Sequence, residues 1–167
     1  FSMRLTWKTA FLGYEGGNGE LINDMNTNFM ADPSRRFRYS NVGSIMAGII
    51  VDETTGTSWK DNMNKHIFEP LGMQNTSAYL SHFDNQLIRP SVIYSESNGL
   101  VVTDFYKTDN TMHAAGGLIS TINDLSKWLR ANIAQDEVLL SKAGWTVLHT
   151  SSIDQSREYF TSKRSGY

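Results

Sequence analysis

Cysteine is missing altogether from the 167-residue chain, which excludes disulfides, thiolate zinc sites and a cysteine nucleophile together. Long apolar runs are missing as well. The longest, Ile45 to Val51, is far short of the roughly 20 residues needed to cross a bilayer. The opening Phe1-Ser2-Met3-Arg4 leads into no signal-peptide h-region. An excess of positive charge is also lacking: 15 Lys and Arg against 17 Asp and Glu give a net charge of −2. The basic residues form no stripe, their closest pairs being Arg35-Arg36 and Lys163-Arg164. Nothing here attracts nucleic acid or anionic lipid. There is no internal repeat and no low-complexity tract. What remains is ordinary for a globular protein, with 40% hydrophobic and 19% charged residues, and long enough for one domain with its own core.

The apolar spacing is mostly helical. Leu21, Ile22, Met25 and Phe29 form one face of a helix over 20–30, stopped by Asp32-Pro33. A polar turn at Tyr39-Ser40-Asn41-Val42-Gly43 enters a second helix, with Met46, Ile49 and Ile50 on a shared face. Ala47 and Gly48 are small enough there for close packing, and Gly56 fits a left-handed C-terminal cap. Thr57 or Ser58 can cap a third helix carrying Trp59, Met63 and Ile67, which Pro70 closes. Residues 74–113 are aperiodic, with short β-like runs at Leu87-Ile88, Ser91 to Tyr94 and Leu100 to Thr103. Ser120 or Thr121 caps a fourth helix, with Asp124 placed for a capping box and Ile122, Leu125, Trp128, Leu129 and Ile133 as its apolar face. A last helix comes after Ser141 with Trp145 and Leu148, and the tail from Ser151 is polar. There is too little strand for a sheet of its own.

Tyr39 and Asn41 are the first candidates for chemistry. Projecting from a turn held by an apolar helix, a tyrosine hydroxyl can relay a proton, and an asparagine offers an acceptor and donors for an amide. The structural reading of the same residues is a helix entry, with Tyr39 packing and Ser40 or Asn41 capping. Spacing alone favours the second.

The neighbouring blocks change that balance. Pro33-Ser34-Arg35-Arg36-Phe37-Arg38-Tyr39-Ser40-Asn41-Val42-Gly43, then Ala47-Gly48-Ile49-Ile50 and Thr55-Gly56, resembles the second motif of the serine β-lactamase and penicillin-binding-protein family. The resemblance continues through Ile67-Phe68-Glu69-Pro70-Leu71-Gly72-Met73-Gln74-Asn75-Thr76 and resumes from Ala114 to Leu125. These blocks lie within residues 33–134 and are closest in style to class C β-lactamases, D,D-peptidases and related esterases. The resemblance implies a serine hydrolase that acts on amides or esters through an acyl-enzyme, with β-lactams or D-Ala peptides as the substrate class. It implies Tyr39 as general base or proton relay and Asn41 as a substrate ligand, with Ser40 in a supporting role. It also implies a periplasmic or extracellular location.

Two parts of that family pattern are missing. No serine has a lysine three positions later: Ser58-Trp59-Lys60 is one residue short, and Ser162-Lys163 is adjacent. No K-T-G or H-x-G is present downstream. Residues 1–167 are therefore expected to be a single partial domain: the mainly α, helical subdomain of an α/β β-lactamase/transpeptidase-like fold, truncated before its sheet-forming flanks. Such a chain is expected to be inactive alone. A non-catalytic binding or regulatory member of the family is the alternative. Helix faces left uncovered would promote self-association or require the missing flanking segments.

The remaining candidates carry weaker signals. Gly116-Gly117 can bring backbone close to a ligand, or simply make a tight turn before a capped helix. His66, His82, His113 and His149 have neither H-x-x-x-H nor H-x-H spacing, so no metal is expected, and no organic cofactor is implied. Of the four, only His113, just before the Ala114 to Leu118 block, is placed near the cleft. Trp59, Trp128 and Trp145 are read as core, and Asp52-Glu53 and Asp136-Glu137 as solvated helix ends.

Overall fold

The computed structural model describes residues 16–27, 41–84, 92–102, 107–151, 154–155 and 164–165. Phe29, Pro33, Tyr39, Ser40 and Leu87-Ile88, all singled out by the sequence pattern, lie outside them. Helix α1 spans Asn18–Thr27 and α2 spans Asn41–Thr55. Leu21 and Met25 of α1 pack with Val42, Ile45 and Ile49 of α2 to form the buried cluster, against which Ile22, Met46 and Ala115 also lie. The inward stripe of α2 is thus 42, 45 and 49. Ile50, expected on that face, is 56% exposed, because the α1 contact rotates the stripe away from it. Gly48 does provide the close packing expected of it, while Ala47 is exposed. Gly56 ends α2 with φ +68° and donates its N–H to the Asp52 carbonyl at 2.9 Å.

Ser58 caps α3, Trp59–Met63, by accepting the N–H groups of Lys60 and Asp61. The helix then widens into a π-helical turn over Asn64–Phe68. The chain reverses at Gly72, two residues past Pro70. With φ +64° at Gly72, the Gly72 N–H reaches the Glu69 carbonyl at 3.0 Å and the Met73 N–H reaches Phe68 at 2.8 Å. That pair of bonds is a Schellman motif. A short 3-10 turn, Leu80–His82, comes next.

Strands β1, Val92–Ser95, and β2, Gly99–Val102, form an antiparallel hairpin close to the second and third of the three β-like runs. Gly99, at φ +68°, supplies the left-handed residue that a three-residue hairpin loop requires. A second, minimal pairing joins β3, Asp154–Gln155, to β4, Arg164–Ser165.

Helix α4 spans Ile122–Ala134 and α5 spans Lys142–His149, capped by Thr121 and Ser141. Within α4 the expected apolar face is the outer one. Ile122 is 80% exposed and Ile133 75%, with Leu125 and Leu129 about half exposed, whereas Asp124 and Ala131 are buried. Trp145 of α5 is fully buried, and its Nε1–H donates to the Asp136 carbonyl at 3.0 Å. Leu148 is exposed, and Trp59 and Trp128 are only half buried. Among the described residues no helix is long and apolar enough to cross a membrane.

Candidate functional site

Asn41 is the first residue of α2 and is half buried. The Ala114–Gly117 block lies against the same helix. Ala115 joins the core at α1 and α2, and a Cβ built on Gly48 would come within 2.9 Å of the Ala114 Cβ. Gly48 is seven residues along α2 from Asn41, which at 1.5 Å per residue is about 10 Å of helix axis. Asn41 and the block are therefore carried by one rigid element. Tyr39 and Ser40, expected beside Asn41, lie outside the described residues.

The two glycines of the block differ. A Cβ on Gly117 would fall 2.6 Å from the His113 carbonyl oxygen and 2.8 Å from the Met112 carbonyl carbon, so the chain can fold back there only without a side chain. Gly116 is exposed, a Cβ there would meet nothing within 4 Å, and its N–H donates to the His113 carbonyl at 3.1 Å. Gly117 makes the turn, and Gly116 presents accessible backbone at its tip.

Ser58 and Lys60 do not form a nucleophile pair. Ser58 Oγ accepts the two cap N–H groups and meets Tyr79 Oη at 3.2 Å. Lys60 is buried, 8% exposed, and its Nζ donates to the Asp109 carbonyl. It also lies 4.9 Å from the Tyr79 ring centroid and 5.8 Å from that of Trp59. Burial lowers the Lys60 pKa from its ordinary value, opposed by the nearby charges of Asp109, Asp52 and Asp61. Tyr79 donates to Asp61 Oδ1 at 2.9 Å, and burial raises its pKa. Nothing in the spacing of Ser58-Trp59-Lys60 marks a buried lysine. Its partners are 19 and 49 residues away in sequence.

Asp124 also departs from its expected role. The Thr121 hydroxyl accepts the Asp124 N–H at 3.3 Å, but the Asp124 carboxylate does not complete a capping box. It accepts the Asn75 N–H at 2.7 Å, the Thr76 hydroxyl at 3.1 Å and Lys127 Nζ at 2.7 Å, and is fully buried. Aspartate is one methylene shorter than the glutamate of a capping box, so tertiary donors win. Lys127 Nζ donates to the Gly72 carbonyl as well, and Ser77 and Ile119 exchange backbone hydrogen bonds at 3.0 and 2.9 Å. This clamp ties the 72–77 turn to α4. It turns Asp124 inward on the side of buried Ala131, with Lys127 half exposed beside them, and the apolar residues of α4 lie on the opposite side. The Lys127 hydrogen bond and the Asn75 and Thr76 donors hold the Asp124 pKa below its ordinary value, against the opposing effect of burial. Asp52, expected as a solvated end, instead accepts from Asn18 Nδ2 at 3.3 Å and from the Trp59 N–H.

A cleft of about 320 Å³ lies between the π-helical turn, the 72–77 turn and His82-Phe83. Among the described residues, neither Asn41 nor Gly116-Gly117 lines it. No group of three or more His, Cys, Asp or Glu among the described residues could hold a metal ion.

The helix-rich unit is consistent with the helical portion of a β-lactamase-like fold. The Beta-lactamase family profile matches residues 10–166, and the chain belongs to that family of serine hydrolases. Unguisins hydrolase of Aspergillus campestris is 30% identical over 122 residues, which cover 71% of this chain and 22% of that protein. The octameric penicillin-binding protein homologue from Pyrococcus abyssi superposes with a TM-score of 0.66 at 30% identity, over 79% of this chain and 29% of its own. D-amino acid amidase from Ochrobactrum anthropi shares the fold, with a TM-score of 0.66 at 21% identity over 85% of this chain and 46% of its own. The chain thus spans less than half the length of each of these relatives.

Proposed function

We propose that the chain supplies one wall of the active site of a serine hydrolase that opens amide or ester bonds, of the β-lactam or D-Ala peptide type, through an acyl-enzyme. The observation that carries this reading is the placement of Asn41 at the head of α2 with the Ala114–Gly117 turn packed on the same helix, inside a family match over residues 10–166. In this reading Tyr39 relays the nucleophile's proton, Asn41 hydrogen-bonds the substrate amide, Ser40 supports the turn, and Gly116 offers backbone at its tip. The 30% identity to a hydrolase and to a penicillin-binding protein homologue supports the substrate class. A secreted or periplasmic location goes with that substrate class.

Tyr39 has no covalent step to assist without a nucleophile, so residues 1–167 alone are inactive in this reading. The S-x-x-K serine and the K-T-G or H-x-G strand must come from sequence outside them. A chromogenic cephalosporin and a fluorescent penicillin test both halves. The 167-residue chain should give neither turnover nor a stable acyl adduct, whereas the chain joined to flanks carrying both motifs should turn over. In that longer protein Tyr39→Phe should cut kcat sharply, and unchanged hydrolysis would remove Tyr39 from the mechanism. The second reading, a family member that binds without catalysis, rests on the absence of S-x-x-K from these residues. Flanks that also lack the motifs would favour it. The exposed apolar face of α4 makes self-association part of the proposal.

A further inference from the structure

The 113–117 turn contacts α2 through Ala114 and Ala115. It continues from the 108–111 turn, which closes on itself. The Thr111 and Met112 N–H groups both reach the Thr108 carbonyl at 3.0 Å, and the Thr108 N–H reaches Thr111 Oγ1 at 2.7 Å. Thr111 and Met112 are 4% exposed, so the 108–112 unit and the 113–117 turn form one block. Outside the block, α3 and the 80–81 segment both hold Asp109, whose carboxylate also accepts from the Ser81 side chain and the Leu80 N–H. Its carbonyl accepts from Lys60 Nζ, and its Oδ1 accepts the Ser81 N–H at 3.1 Å.

Lys60 is unusual in being a buried amine whose hydrogen-bond acceptor is a backbone carbonyl from another segment. Its Nζ lies near two aromatic rings, Tyr79 on another element and Trp59 on its own. Tyr79 is held in turn by Ser58 and Asp61. Three segments therefore converge on one side chain: α3, the 79–81 turn and the 108–111 turn. A surface lysine serving only as a helix solubiliser would show none of this.

We propose that Lys60 is a positioning residue for the site wall: by strapping the Asp109 carbonyl to α3, it holds the 108–117 segment, and with it the Gly116 backbone, in place against α2 at Gly48. This rests on the proposed placement of the 113–117 turn against substrate. Lys60 touches no reacting atom, and its effect is carried through Asp109.

The test separates the strap from the hydrolase reading. Amide hydrogen exchange is followed on the 167-residue chain at Thr111, Met112 and Gly116, with the Trp145 amide of α5 as a remote control. Lys60→Met keeps the length and packing of the stem and removes the donor. It should speed exchange at the three reporter amides about tenfold or more, leave Trp145 unchanged, and be largely reversed in Lys60→Arg. Tyr79→Leu, which removes the aromatic face and keeps the amine, should move the same amides in the same direction by less, and it serves as the reporter if Lys60→Met unfolds the chain. Unchanged exchange at Thr111, Met112 and Gly116 in the folded variants overturns the strap. In the longer, motif-bearing protein, Lys60→Met should raise KM for the cephalosporin several-fold with kcat little altered. Faster exchange with unchanged KM overturns the positioning role. A wild-type protein that hydrolyses nothing overturns the hydrolase reading, and the exchange result still decides the strap.

Discussion

Gly48 is where the packing of the site wall can be measured most directly. A Cβ there would lie 2.9 Å from the Ala114 Cβ and 3.4 Å from Trp59 Cδ1. Two effects of opposite sign compete in Gly48→Ala. Alanine in a helix interior is favoured over glycine by about 0.5–1 kcal/mol. Overpacking by one methyl costs about 1–3 kcal/mol when the neighbour cannot step aside. The Ala114 Cβ is bonded directly to backbone, so either the 113–117 turn or α2 must shift, and the steric term should win. The expected net loss is about 1 kcal/mol, or roughly 0.5 M in the urea midpoint for a slope near 2 kcal/mol/M. Gly43→Ala in the same helix is the control. Nothing lies within 4 Å of its added Cβ, so only the propensity term acts and the midpoint should rise slightly. In Gly48→Ala with Ala114→Gly the clash is removed, and a favourable coupling of about 1 kcal/mol is expected from the double-mutant cycle. Should Gly48→Ala be as stable as the wild type at an unchanged slope, with no coupling to Ala114, the close approach of α2 to the turn is wrong.

Four further outcomes are expected from particular contacts. The Asp124 carboxylate has its pKa depressed first by Lys127 and then by the Asn75 and Thr76 donors. Its contribution to stability is therefore present above the ordinary aspartate range and lost as pH falls through the depressed value. The stability gap between wild type and Asp124→Asn, read from urea midpoints between about pH 7 and pH 3, should close on acidification, and a constant gap would contradict the ionised clamp. Gln135 ends α4 at φ 51°, a left-handed conformation costing a non-glycine residue about 1 kcal/mol, so Gln135→Gly should raise the thermal midpoint. Trp145→Phe removes the Nε1–H bond to Asp136 and part of a fully buried ring, for an expected loss of about 2 kcal/mol by denaturant titration. If the outward face of α4 drives self-association, sedimentation should show concentration-dependent mass that Leu129→Glu lowers toward the monomer.

Local chemistry explains why much of the fold was legible in the residues. Ser58, Thr121 and Ser141 cap helices because a short hydroxyl reaches N–H groups two and three positions on, and Gly56 and Gly99 take positive φ because they lack a Cβ. These are interactions within a few residues, and the spacing encodes them. The ordered blocks around Asn41 and Gly116-Gly117 identified the family for a different reason: they combine several local signals in a set order.

Among the described residues, what the sequence by itself determined was the presence of five α-helices and of short strands between the third and the fourth, several of the helix caps, and membership of the Beta-lactamase family. Only the tertiary structure decided which way those helices face. Ile122, Leu125, Leu129 and Ile133 point outward because Asp124 is claimed by Asn75, Thr76 and Lys127, an attraction that no pattern within α4 reveals. Lys60 is buried because Asp109, 49 residues away, offers it a carbonyl. A helix records its own periodicity in its sequence, but its rotation in the fold is set by polar partners brought in from elsewhere in the chain.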